Sequence, residues 1–102
     1  MLDEVLKSLD KAVVNDIRVY DLRGKSPFFD YSIVCSASNS RQAWACGNYL
    51  KDDAVDNNWD FRSISGTKES TWVLVDLGDI IVHIFVGNER LYYNLDSIYE
   101  NC

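Results

Sequence analysis

Two carboxylates and one imidazole interrupt an otherwise apolar stretch, residues 72–85, with the sequence WVLVDLGDIIVHIF. They belong to Asp76, Asp79 and His83, and His83 is the only histidine of the chain. Carboxylates beside a histidine can perform acid–base catalysis or hold a metal ion. They can equally be polar points on a surface that binds another protein. Each chemistry needs its own spacing, so the spacing can be used to weigh the three.

A metal site is disfavoured by the distance between the candidate ligands. Asp79 and His83 are four residues apart in a predicted strand. Such residues share a face of the strand but are separated by about 13 Å along it. One ion would reach both only if the strand bent, although Asp76 lies just across the turn from Asp79. We therefore expect neither a metal ion nor a cofactor.

A Mg²⁺-dependent enzyme that transfers nucleotidyl groups is the alternative hypothesis. Such enzymes place carboxylates together to hold the metal and the phosphates, commonly as Asp-x-Asp on one strand. Here Asp76 and Asp79 are three apart, with Leu77 and Gly78 between them. This pattern is typical of a turn in which a carboxylate bonds nearby amides. No glycine-rich phosphate loop is present in the sequence, so we expect no catalytic residues, and the enzyme remains the second hypothesis.

Aromatic residues around the same stretch favour protein binding. Trp72 and Phe85 lie on its two strands, and Arg90 and Tyr93 follow. Trp, Tyr and Arg are enriched among the residues that anchor protein interfaces. Aromatic residues also fill cores, and a turn with a half-buried histidine is the simpler interpretation. The predicted partner-binding residues are Trp72, Asp76, Asp79, His83, Phe85, Arg90 and Tyr93.

The size and composition predict a single domain over residues 1–102. The chain is 47% hydrophobic and 25% charged, which is ordinary for a globular protein that builds its own core. No apolar run reaches the ~18 residues of a transmembrane helix, and the acidic start of the chain is unlike a signal peptide. We therefore expect a cytoplasmic protein with no membrane partner.

The cysteines lack a paired or Cys-x-x-Cys pattern, which predicts reduced thiols; they are Cys35, Cys46 and Cys102.

The net charge of −6 bears on the partner. Nucleic acids are bound through clusters of Lys and Arg, and the sequence has none. An acidic surface suits a basic protein, because complementary charge speeds their encounter. The same charge can simply keep the protein in solution, so charge alone does not decide between these interpretations.

The hydrophobic periodicity predicts a helix, two strands, a helix, three strands and a short tail. Helices are predicted over 2–14 and 38–55, with Ser38 or Ser40 as the second N-cap, and strands over 17–22, 31–37, 58–65, 71–76 and 79–86. A strand, a long helix and a strand in succession indicate a crossover, so part of the sheet is expected to be parallel. Gly47 within the second helix predicts close packing against a neighbour. The expected fold class is α/β, a mixed five-stranded sheet with helices packed on it.

Three segments, in order, resemble a known family. DYSIVCSASNSRQAWA, residues 30–45, resembles its Asp-Tyr strand followed by a Ser-x-Arg-Gln helix start. Residues 72–85 resemble its most distinctive stretch, which ends in Val-His-Ile-Phe. RLYYNLDSIY, residues 90–99, resembles its closing pattern of Arg, Tyr, Leu and a final aromatic residue. The chain is thus similar to the ribosomal silencing factor family, also called Iojap-like, from about Val5 to Tyr99.

The resemblance implies a function that composition does not. Members bind the large ribosomal subunit at its fourteenth protein, a basic protein on the face that meets the small subunit. By blocking the joining of the subunits, they lower translation when nutrients are scarce. The family fold has a nucleotidyltransferase-like topology, but no enzymatic activity is attributed to it. Direct binding of nucleic acid is not required, and a homodimer is left open.

Overall fold

Four helices and five strands make up residues 1–101, the part of the chain that the computed structural model describes. The helices are α1 (Leu2–Lys11), α2 (Ser40–Asn57), α3 (Glu89–Tyr93) and α4 (Leu95–Glu100). The strands are β1 (Asn15–Asp21), β2 (Tyr31–Ala37), β3 (Ser63–Ser65), β4 (Trp72–Asp76) and β5 (Ile80–Val86). The predicted order of elements is confirmed, and the prediction for Cys102 lies outside the described residues.

The five strands form one mixed sheet in the order β1-β2-β5-β4-β3. The central strands β2 and β5 are parallel, and the other three pairs are antiparallel. The predicted mixed α/β fold with a parallel component is therefore confirmed. β2 and β5 can be parallel because α2, β3 and β4 carry the chain back to the starting edge between them.

One face of the sheet packs against α1 and α2 to form the main core. The strand residues on this face are buried apolar side chains, namely Ile33, Cys35, Val73, Val75, Val82 and Ile84. The helices contribute Val5, Leu9, Ala43, Leu50 and Ala54. Each large apolar side chain that leaves water contributes about 1.5–3 kcal/mol, so this layer provides a stable base for the opposite face.

The opposite face of the sheet carries the residues that the sequence analysis singled out. Alternation along β5 places His83 and Phe85 on this face. Trp72 and Leu74 of β4 pair with Phe85 and His83 respectively. The short helices α3 and α4 cover part of this face, because Tyr93 contacts Trp72 and Tyr99 contacts His83. The rings of β4 and β5 thus lie between the sheet and the C-terminal helices, with Trp72 partly exposed.

The N-cap of helix α2 is Asn39, which lies one residue away from either predicted cap. Asn39 has extended backbone angles, and its side-chain oxygen accepts a hydrogen bond from the amide of Gln42 at 2.8 Å. The predicted caps Ser38 and Ser40 were therefore wrong. An Asn side chain satisfies a free amide of the first turn as well as a Ser does.

Gly47 of α2 packs against the sheet as the sequence predicted. A Cβ atom at this position would lie 2.7 Å from Cδ1 of Ile64 and 3.0 Å from Cγ1 of Val73. The missing side chain lets the helix approach β3 and β4 closely, which offsets the lower helix propensity of glycine.

Two predicted elements are shorter than expected. The predicted helix 2–14 ends at Lys11, because Val13 has left-handed backbone angles with φ +60°. The predicted strand 58–65 is reduced to Ser63–Ser65. Trp59 is drawn toward the helices instead, since its amide bonds the carbonyl of Ala54 and its indole N–H donates to Glu4 at 3.1 Å. Tertiary contacts thus override the alternating pattern before β3.

Candidate functional site

A cluster of aromatic rings covers the sheet face opposite the main core. Trp72 lies at its centre, with ring-centroid distances of 4.9 Å to Phe85 and 4.6 Å to Tyr93. Tyr99 lies 6.0 Å from His83 and stacks at 5.3 Å on Tyr20 of β1. Ring pairs at these separations stabilise by roughly 0.5–1.5 kcal/mol beyond their buried area. The cluster therefore joins β1, β4 and β5 to the two C-terminal helices.

His83 links two of these aromatic residues by hydrogen bonds. The indole N–H of Trp72 donates to Nδ1 of His83 at 3.3 Å. Since Nδ1 accepts, the proton of the neutral ring is on Nε2, which lies 3.1 Å from the hydroxyl of Tyr99 and donates to it. Burial lowers the pKa of His83 to about 4. At neutral pH His83 is thus an uncharged, hydrogen-bonded part of the cluster.

Arg90 connects the C-terminal helices to the first two strands. Its Nε and Nη2 donate to the two carboxylate oxygens of Asp96 at 2.9 and 3.1 Å. Its Nη1 donates to the carbonyl of Asp16 at 2.7 Å and to Oγ of Ser36 at 2.9 Å. The hydroxyl of Tyr20 donates to the same Asp96 carboxylate. We call Asp16, Tyr20, Ser36, Arg90 and Asp96 the polar clasp.

The charge states of the clasp residues suit the hydrogen bonds between them. The hydrogen bonds from Arg90 hold the pKa of Asp96 below its usual range. Burial, together with the hydrogen bond to Asp96, raises the pKa of Tyr20 to about 12. At neutral pH, Asp96 is therefore ionised, Tyr20 is protonated and Arg90 is charged, which is the combination that these hydrogen bonds require.

The two acidic residues of the β4–β5 turn do not act alike. Oδ1 of Asp76 accepts a hydrogen bond from the amide of Gly78 at 2.9 Å, as predicted for a turn carboxylate. Asp79 has an exposed side chain, and its carbonyl accepts from the amides of Asp30 and Tyr31. Within residues 1–101, no three His, Cys, Asp or Glu side chains are placed to hold a metal ion.

The outer side of α3 and α4 exposes apolar and aromatic residues to solvent. Leu91 is 77%, Tyr92 79% and Ile98 58% exposed, and Tyr93 next to Trp72 is 43% exposed. We call Leu91, Tyr92, Tyr93 and Ile98 the C-terminal surface. A cluster of large exposed apolar residues on one small element is typical of a binding surface.

The predicted partner-binding residues separate into two groups. Asp79 and Tyr93 are exposed, and Trp72 and Asp76 are partly exposed. His83, Phe85 and Arg90 are buried, so they support the surface from below. Whether the exposed members touch a partner stays a prediction. The predicted set omits Leu91, Tyr92 and Ile98, although their apolar character beside the aromatic stretch was the available signal.

The fold and the exposed surface together define a class of protein. The structure is an α/β domain whose aromatic sheet face supports an exposed apolar surface on two short helices. Among the described helices, none is long and apolar enough to cross a membrane. A rigid, partly apolar surface over a fixed scaffold is what a protein-binding module presents.

Known proteins with the same sequence pattern place the chain more narrowly. The family model described as ribosomal silencing factor during starvation matches residues 1–102. The ribosomal silencing factor RsfS of Bacillus subtilis is 38% identical over 93 residues, which are 91% of this chain and 79% of that protein. The chloroplastic protein Iojap of Zea mays is 31% identical over 94% of this chain and 42% of its own length.

Solved structures agree with the sequence comparison. A crystal structure of a Chromobacterium violaceum protein has a TM-score of 0.90 and 27% identity, covering 97% of this chain and 82% of that one. A Bacillus halodurans protein has a TM-score of 0.85 and 28% identity, covering 96% and 91%. The chain belongs to the ribosomal silencing factor family, as the resemblance had indicated.

Proposed function

We propose that this protein is a cytoplasmic translational repressor that binds the large ribosomal subunit at its fourteenth protein. Bound there, it blocks joining of the small subunit and lowers translation when nutrients are limiting. Residues 1–102 act as one domain in this proposal. Neither a membrane nor direct contact with nucleic acid is required.

The exposed C-terminal surface is the observation that carries the proposal. Leu91 and Tyr92 are more than three-quarters exposed. In the isolated chain their apolar surface is therefore in unfavourable contact with water. A partner that covers these side chains removes that contact with water, which favours binding. Tyr93 and Trp72 continue the surface onto the sheet, because their rings lie 4.6 Å apart.

The charge of the protein fits a basic partner. The chain carries −6 overall, and the partly exposed Glu89 and the exposed Glu100 lie on the two helices of the C-terminal surface. Opposite charge on a basic ribosomal protein would steer the encounter and fix its orientation. The apolar residues would then supply the affinity.

A role without catalysis is supported by the use of the acidic residues. Asp76 is engaged with the amide of Gly78 inside its own turn. His83 is enclosed by Trp72 and Tyr99 and stays neutral at physiological pH. Two of the three groups that first suggested acid–base or metal chemistry, Asp76 and His83, are therefore used to shape the turn and to hold the rings. Nucleotide turnover by the pure protein that is lost in Asp76→Asn would instead establish the enzyme hypothesis.

Binding to isolated large subunits tests the proposal directly. We expect the protein to sediment with large subunits and to reduce the fraction that joins added small subunits. Truncating a central aromatic residue of an interface commonly costs about 2 kcal/mol, or about thirtyfold in affinity. We expect Tyr92→Ala to weaken binding by that order with an unchanged melting temperature, because the side chain is exposed.

Phe28 provides a matched control. It is 76% exposed, but it lies in the loop before β2, whereas α3 follows the end of β5. Because β2 and β5 are parallel, the two positions lie at opposite ends of the sheet. Phe28→Ala should bind normally. Equal losses from Phe28→Ala and Tyr92→Ala would refute the assignment of the surface, and wild-type protein that fails to sediment with large subunits would refute the proposed function.

A further inference from the structure

We propose that Arg90 is a positioning residue, whose guanidinium locks α3 and α4 onto β1 and β2 in the arrangement that presents the C-terminal surface. This inference rests on the proposed function. It assigns Arg90 an indirect role in place of the direct partner contact predicted from its residue type.

The first argument is that all three nitrogens of the guanidinium are hydrogen-bonded. Arg90 is 8% exposed, and hydrogen bonds engage its Nε, Nη1 and Nη2. A partner would have to displace Asp96, Asp16 or Ser36 to reach it. Removing a hydrogen-bonded partner from a buried charge carries a large desolvation penalty. Direct recognition of a partner by Arg90 is therefore unfavourable.

The second argument is that the C-terminal helices bury a charged side chain and expose large apolar ones. Helix α3 buries only Arg90, and α4 has no buried residue. The large apolar side chains Leu91 and Ile98 point outward instead. A helix normally holds its place by burying an apolar stripe, whereas these helices face the sheet with Arg90, Tyr93 and Tyr99. Polar contacts and ring stacking must hold these helices in place.

The third argument is the number of elements that meet at one side chain. Asp16 lies on β1, Ser36 on β2 and Asp96 on α4, while Arg90 itself lies on α3. Among residues 1–101, the only ion pair that joins α3 to the sheet is the one between Arg90 and Asp16. The planar fork of an arginine matches a carboxylate with two parallel bonds, and a lysine ammonium cannot reproduce it.

A positioning role makes a quantitative claim about affinity. When only a fraction of the molecules hold the binding-competent arrangement, the apparent Kd rises by the inverse of that fraction. If Arg90→Lys leaves the clasp closed in about one molecule in ten, the Kd for large subunits rises about tenfold. The closed fraction should therefore predict the loss of affinity.

Arg23 is the matched control. Its Nε and Nη2 bond the carboxylate of Asp21 at 3.0 and 2.8 Å, the same forked geometry as Arg90 with Asp96. That pair is exposed and joins residues two positions apart. Arg23→Lys removes the fork without releasing an element, so binding should be unchanged. Tyr20→Phe is a milder clasp variant, since it removes only the hydroxyl that donates to Asp96.

The experiment measures the closed fraction and the affinity in the same variants. The closed fraction comes from NMR amide shifts and hydrogen exchange of residues 89–100, with the amides of β2 and β5 as the internal reference. Subunit binding gives Kd and the two rate constants. We expect Arg90→Lys to open residues 89–100 selectively, leave β2 and β5 protected and raise Kd by the inverse of the closed fraction. Tyr20→Phe should give smaller effects in the same ratio.

Three outcomes would overturn the inference while wild-type and Arg23→Lys proteins bind. Lost affinity with residues 89–100 still closed would mean that Arg90 contacts the partner directly. Opened helices with unchanged affinity would mean that the clasp does not serve binding. Loss of protection in β2 and β5 as well would make Arg90 a residue of global stability. Failure of the wild-type protein to bind would refute the proposed function itself, so the two failures are distinguishable.

Discussion

At the scale of single residues, the chemistry suggested by residue type is redirected by burial. Histidine and arginine are common in catalytic and binding sites. Here both His83 and Arg90 are buried, and all their side-chain nitrogens are hydrogen-bonded. Buried polar groups are costly unless they are hydrogen-bonded. Their partners Trp72, Tyr99 and Asp96 meet that requirement. These side chains therefore hold aromatic rings and helices where an exposed surface needs them.

His83 gives the protein a specific dependence of stability on pH. Burial lowers its pKa from 6.5 to about 4, so between these values the unfolded chain binds a proton and the folded chain does not. The free energy of unfolding should be highest above about pH 6.5 and should fall by about 3 kcal/mol as the pH drops toward 4. Urea unfolding at pH 7, 6, 5 and 4.5 measures this slope.

The comparison variant for this prediction is His83→Asn. The chain has one histidine, so this variant removes the only group with an ordinary pKa of 6.5. We expect a less stable protein with a flat profile between pH 6.5 and 4.5. Carboxylates with lowered pKa, such as Asp96, act only at lower pH because their ordinary pKa is 3.8. A slope that persists in His83→Asn would show that other groups produce it.

At the scale of elements, small backbone features decide which side chains face the sheet. Asn94 has left-handed angles with φ +53° and separates α3 from α4. A continuous helix would bring Leu91, Leu95 and Ile98 onto one stripe. The break at Asn94 lets Arg90 and Asp96 turn toward the sheet instead, and Leu91 and Ile98 remain outside. The C-terminal surface therefore follows from one residue that adopts the left-handed region readily.

Gly47 tests the packing of an element on the sheet. Gly47→Val adds carbons where a Cβ already lies 2.7 Å from Ile64 and 3.0 Å from Val73. Overpacking of this kind typically costs 1–3 kcal/mol, so we expect the free energy of unfolding to fall by about 2 kcal/mol in urea titrations. Ala45→Val, on the exposed side of α2, is the control and should cost only about 0.5 kcal/mol in helix propensity. Equal losses in the two variants would mean that propensity, and not the contact with β3 and β4, determines the effect.

At the scale of the whole molecule, charge and layering separate stability from binding. The main core lies between the sheet and helices α1 and α2, while the C-terminal surface lies on the opposite face. Residues of that surface can change without touching the main core. The net charge of −6 acts over the whole surface and bears on how fast a basic partner arrives.

The salt dependence of association tests this electrostatic contribution. Added salt should slow association with large subunits more than it speeds dissociation. Glu89→Gln with Glu100→Gln, both on the C-terminal helices, should lower the association rate at low salt. Asp10→Asn, on α1 behind the sheet, should change it less. Association rates that stay flat from low to physiological salt would remove charge steering from the proposed function.

The sequence by itself determined the family, the order of elements and the mixed sheet. Periodicity of apolar residues is a local property, so β2 at Tyr31–Ala37 was predicted to the residue and β5 to within one. The turn role of Asp76 also depends on neighbours in the chain, because its carboxylate bonds an amide two residues on. Local signals of this kind are complete in the sequence.

The tertiary structure alone decided which residues of the candidate site are exposed. Arg90 meets Asp16 and Ser36 across 74 and 54 residues of chain, and no local pattern encodes such contacts. Trp59 left the predicted strand for the same reason, since its partner Glu4 is 55 residues away. Burial and hydrogen-bond satisfaction are properties of the assembled layers. They separate the side chains that hold the C-terminal surface from those that form it.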